Sequence, residues 1–78
     1  MPWKEFESAK AGIHLILDPN EYTSWSLDER VDAQGPHCWT IVGTRKDGSE
    51  HIIIPAPELL TDRAEMKRLF KEFIKTIM

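Results

Sequence analysis

Apolar residues recur at two different spacings along this chain, and the change of spacing marks where strands give way to a helix. In "IHLIL", Ile13, Leu15 and Leu17 alternate with His14 and Ile16, the period of two that a strand imposes. From Thr61 onward the period is helical. Met66, Leu69, Phe70, Phe73, Ile74 and Ile77 fall at i, i+3, i+4, i+7, i+8 and i+11, a single apolar stripe. Thr61 or Asp62 is placed to cap this helix, and Asp62 and Glu65 suit the positive end of its dipole.

Between these lies "CWTIVGTRKDGSEHIII", in which Asp47-Gly48 separates two β-rich runs and marks a hairpin. A two-residue loop sets Arg45 opposite Glu50, Thr44 opposite His51, Val42 opposite Ile53 and Ile41 opposite Ile54. This register predicts one face of Trp39, Ile41, Ile52 and Ile54, which receives the helical stripe. The other face carries Thr40, Val42, Thr44, His51 and Ile53. Pro55 and Pro57 end the second strand.

The remaining segments are less regular. "PWKEFESAKAG" reads as a short helix, with Pro2 first, Gly12 as its stop, and Trp3, Phe6 and Lys10 on one side. "DPNE" fits either a type I turn or a helix start capped by Asp18. The strand formers of "YTSW" favour the turn, and residues 13–17 and 22–27 would then pair as a hairpin. "SLDERVDAQGP" is assigned a helical turn and a loop. The expected fold is one α+β domain over 1–78: an antiparallel sheet of three to four strands against a long C-terminal helix, with a short N-terminal helix.

Composition narrows the class. Hydrophobic residues make up 41% and charged residues 29%, a globular balance. The densest apolar run, "HIIIPA", is far too short to span a bilayer, and "MPWKEFESAK" lacks the basic start and apolar core of a signal peptide. A single cysteine permits no internal disulfide, which points to a reducing, cytoplasmic setting. The formal charge of −3 is unevenly spread. Asp18, Glu21, Asp28, Glu29 and Asp32 stand against Arg30 alone in one segment, whereas Arg63, Lys67, Arg68, Lys71 and Lys75 face three acids in the last helix.

Candidate chemistry is sparse. "GPHCWT" sets two good metal ligands, His37 and Cys38, side by side, but adjacent strand residues point to opposite faces. In the expected register His51 lies roughly 20 Å from Cys38, at about 3.3 Å per strand residue. Zinc needs its ligand atoms within about 2.3 Å, so this hairpin gathers no site. Nor does Cys38 have an oriented base beside it. The segment reads as the beginning of a strand, with Cys38 a small hydrophobe and His37 a turn residue. With no glycine-rich phosphate loop, paired carboxylates or triad, neither an enzyme nor a cofactor is expected.

Two binding readings remain. The leading one is a small regulatory or accessory protein that contacts another protein, or a second copy of itself, through the sheet face away from the helix. Its candidate residues are Val42, Ile53, Thr44 and His51, with Trp25. The alternative is nucleic-acid binding through the stripe of Lys67, Arg68, Lys71 and Lys75. Trp3, Trp25 and Trp39 could stack on bases, although in so small a chain large aromatics also serve as core anchors.

Overall fold

The computed structural model describes residues 2–31 and 37–78, with Val31 and His37 described by their backbone alone. The class is α+β. Five strands, β1 (Lys4–Ser8), β2 (Ile13–Leu17), β3 (Tyr22–Val31), β4 (His37–Arg45) and β5 (Glu50–Ile53), precede one helix, α1 (Arg63–Ile77). They form two antiparallel sheets, the pair β1–β2 and the three-stranded order β3–β4–β5.

The first segment is a strand, not the expected helix. Lys4 pairs with Leu17, Phe6 with Leu15 and Ser8 with Ile13. Two helical turns gain few hydrogen bonds for the cost of nucleation, whereas pairing with β2 satisfies the backbone and buries Phe6. Gly12 still acts as punctuation. Its φ of +65° closes the hairpin turn, where its N–H donates to the Ala9 carbonyl at 3.2 Å. β2 pairs with β1 and β3 with β4, so the expected pairing of residues 13–17 with 22–27 does not occur. "DPNE" becomes a short 3-10 turn over Pro19–Glu21, with the Asp18 side chain accepting from the Asn20 N–H. The strand that follows runs on to Val31, so the helical turn expected in "SLDERV" is extended chain instead.

The Asp47-Gly48 hairpin forms with its loop one residue longer than expected. Gly48 N–H donates to Arg45 O at 2.9 Å, Arg45 N–H donates to Ser49 O at 2.8 Å, and Gly48 adopts φ +90°. This is a type I turn followed by a glycine bulge. Asp47 accepts from the Ser49 N–H and hydroxyl at 2.9 and 2.7 Å, bonds that hold its carboxyl below the usual range. The pairs are therefore Thr44–Glu50, Gly43–His51, Val42–Ile52 and Ile41–Ile53. A slip of one residue exchanges the two faces of β5. Ile53 joins Ile41 under the helix, whereas Ile52 and Ile54 point away and are 41% and 65% exposed.

The helix begins as expected, with Asp62 accepting from the Glu65 N–H at 3.1 Å. It buries Met66, Leu69, Phe73 and Ile77 in one hydrophobic cluster with Phe6, Ile13 and Leu17 of the hairpin and Ile41 and Ile53 of the sheet. Phe73 is the hub, meeting Phe6 edge-on at 5.3 Å and Trp25 at 4.7 Å between ring centroids. Each such fully buried side chain contributes about 1.5–3 kcal/mol. The receiving surface is thus Trp25, Leu27, Trp39, Ile41 and Ile53: Trp39 and Ile41 stand where expected, and Ile53 replaces Ile52 and Ile54. Trp39 is half-buried there, with Arg63 over its ring at 5.7 Å. Lys10 binds Glu65 at 2.9 Å and ties the hairpin turn to the start of α1. Among the described residues no helix is long and apolar enough to cross a membrane.

Candidate binding groove

A bulge at the start of β3 builds the most distinctive surface. Tyr22 pairs with Arg45 and Ser24 with Thr44, which leaves Thr23 as an extra residue. In a regular strand Tyr22 and Trp25, three apart, would face opposite ways; the extra residue restores them to one face. Their rings lie 4.5 Å apart between centroids. Tyr22 also stacks on His51 at 5.9 Å, and its hydroxyl shares a 2.8 Å hydrogen bond with His51 Nδ1. The Arg45 guanidinium lies over the Tyr22 ring, 5.8 Å from its centre. Burial, and secondarily the charge of Arg45, lower the His51 pKa, so the imidazole is neutral at pH 7.

Trp25 can lie flat across the sheet only because its partner in β4 is Gly43. A Cβ at that position would come within 2.6 Å of the indole ring. The indole therefore reaches Phe73 and forms the inner end of a groove of about 640 Å³. One wall is Tyr22–Trp25 of β3, and the other is Phe70, Ile74 and Ile77 of α1. Among the described residues β3 is the last strand of its sheet on this side, so this wall also presents backbone donors and acceptors without a strand partner there. A second depression of about 380 Å³ lies on the outer flank of α1 and shares Phe70 and Ile74, with Arg68, Lys71 and Lys75 around it.

The structure distributes the sequence-derived candidates over several places. Trp25 lines the groove, His51 on β5 reaches across β4 to support Tyr22, and Ile53 is buried in the core. Val42 and Thr44 lie on the opposite sheet face, so the five do not form one surface. There Val42 is only 2% exposed although it stands outside the main cluster. Arg30, level with Cys38, reaches Glu50, level with Thr44, at 3.3 Å, and this bridge spans the Thr40 and Val42 rows. Of the basic stripe, Arg68 is held by Glu65 at 3.3 Å. The side chains of Lys67, Lys71 and Lys75 are exposed.

Tyr22, Phe70, Ile74 and Lys4 carry the groove and were not among the sequence-derived candidates. The available signal is the width of the helical stripe, because Phe70 and Ile74 extend it beyond the four positions that the core fills. Cys38 is half-buried in β4, five residues from the Gly43–His51 pair, and the side chain of His37 lies outside the described residues. Among the described residues no three His, Cys, Asp or Glu side chains converge as a metal site. Comparison with protein-family models, with curated proteins and with solved structures found no match.

Proposed function

We propose that this chain is a non-catalytic binding module that takes an extended segment of another protein between β3 and α1. The reading is supported chiefly by one juxtaposition: an unpaired strand edge at Tyr22–Trp25 faces the apolar flank Phe70–Ile74 across a groove of about 640 Å³. A segment lying there can add a strand to the sheet through its backbone while alternate side chains enter the groove. The far sheet face is a weaker candidate, because the Arg30–Glu50 bridge already spans its centre.

A displayed library of random nine-residue peptides, panned against the intact protein, tests this reading. Selected peptides are expected to bind at least tenfold more weakly to Ile74→Asp and equally well to Ile52→Asp, with both variants shown to be folded by circular dichroism. Ile74→Ala, a milder change at the same half-buried position, should weaken them in the same direction. Peptides that sense Ile52 and ignore both Ile74 variants would overturn the proposal.

A further inference from the structure

Resting on that reading, we propose that the segment the groove accepts is acidic as well as apolar, its carboxylates lying along a rim of lysines. The inference comes from how the cations of the molecule are used. Lys10 and Arg68 bind Glu65, Arg30 binds Asp28 and Glu50, Arg45 engages Ser49 and Tyr22, and Arg63 covers Trp39. Lys4, Lys46, Lys67, Lys71 and Lys75 have no ion pair or side-chain hydrogen bond among the described residues.

Lys46 stands apart at the β4–β5 turn, whereas the other four lie on or next to the groove and the depression beside it. Lys4 lines the groove itself, and Lys71 and Lys75 edge the depression that shares Phe70 and Ile74 with it. Lys67 precedes Phe70 by three and Lys71 by four residues, the spacing of neighbours on a helix surface. Among the described residues no acidic side chain lines the groove, and Glu72 is the one acid beside the outer depression. In a chain of net charge −3 this is a local reversal of sign. Screening confines its effect to about 8–10 Å at ordinary salt, so it selects what lies in the groove without steering from afar. A nucleic acid would also meet the lysines, but its bases would have to enter an apolar cleft beside a strand edge that offers backbone pairing. The apolar walls and the free edge favour a peptide.

The test uses three peptides that share one alternating apolar pattern and carry Glu, Gln or Lys at the intervening positions, with a labelled oligothymidylate as a fourth probe. Binding to the intact protein is read by fluorescence anisotropy at low and moderate salt. The Glu peptide is expected to bind about tenfold more tightly than the Gln peptide, each exposed pair adding a factor of roughly two. The double variant Lys71→Glu/Lys75→Glu should shift the preference toward the Lys peptide. Equal binding of the Glu and Gln peptides, both weakened by Ile74→Asp, would overturn the acidic preference and leave the groove reading intact. Failure of all three peptides would overturn both. Oligothymidylate that outcompetes the Glu peptide, binds with a steep salt dependence and ignores Ile74→Asp would assign the lysines to nucleic acid instead.

Discussion

On the face of the β3–β4–β5 sheet that lies under α1, Trp25, Gly43 and His51 form one row and Leu27, Ile41 and Ile53 the next. On the opposite face the same strands carry Ser26, Val42 and Ile52, with Asp28, Arg30 and Glu50 around them. The first face is organised by shape: the largest side chain sits across the smallest, and a helix closes over both. The second face is organised by charge, and two isoleucines remain exposed beside it. The difference teaches why the proposed binding belongs to the margin of the packed face. There residues of β3, an edge strand among the described residues, and of α1 line one groove, so apolar side chains and strand edge occur together.

The contrast can be broken most severely at Phe73, which touches both the hairpin and the sheet. Phe73→Ala should cost about 3–5 kcal/mol, measured by urea denaturation, because its neighbours on two sides cannot both collapse into the space. A loss below about 1 kcal/mol would mean that the two sheets do not share a core through this ring.

Gly43→Ala comes next. A methyl group meeting the Trp25 ring must displace it, for about 1–3 kcal/mol. The sharper reading is a cycle with Trp25→Leu, in which the glycine substitution should become nearly neutral once the ring is gone. If the two costs simply add, Trp25 does not depend on Gly43.

On the other face Ile52→Thr should change stability by no more than about 0.5 kcal/mol, as surface positions do. A cost comparable to that of a core truncation would show that this face is covered in solution, for which the dependence of the melting temperature on protein concentration is the check.

The smallest effect expected is a pH slope. The folded chain holds the His51 pKa beneath its ordinary value, about 6.5, so the unfolded chain takes up the proton first. This contribution to stability is fully present above about pH 6.5 and is lost as the pH falls through the window between that value and the lower folded one. Thermal melts of wild type and His51→Gln between pH 5 and 7.5 should differ in slope within that window. Parallel profiles would contradict a neutral, half-buried imidazole beneath Tyr22.

Much of the fold was legible from local signals. The helix with its Asp62 cap, the strand of residues 13–17 with its faces, and the Asp47-Gly48 turn are each encoded by neighbours in sequence. The misreadings have physical causes. Asp-Gly serves a two-residue loop and a glycine-bulged three-residue loop equally well, and the unbroken run Ile52-Ile53-Ile54 offers no alternation to choose between registers. The stretch "KEFES" holds one apolar residue, so neither a helical nor a strand period is visible in it, and the decision falls to its partner β2. The groove was least legible of all. It depends on a bulge at Thr23, a glycine across the sheet from Trp25 and the overhang of Phe70 and Ile74, and only the last of these leaves a trace in the spacing of residues.

The most direct test is amide hydrogen exchange of the intact protein with and without the Glu-substituted peptide at saturating concentration. Outward-facing amides within Tyr22–Ser26 are expected to become protected as a strand is added there, together with small shifts along Phe70–Ile74, while the edge of β5 exchanges as before. Protection at Glu50–Ile53 with none at β3 would contradict the groove reading and place the binding surface on the far side of the sheet.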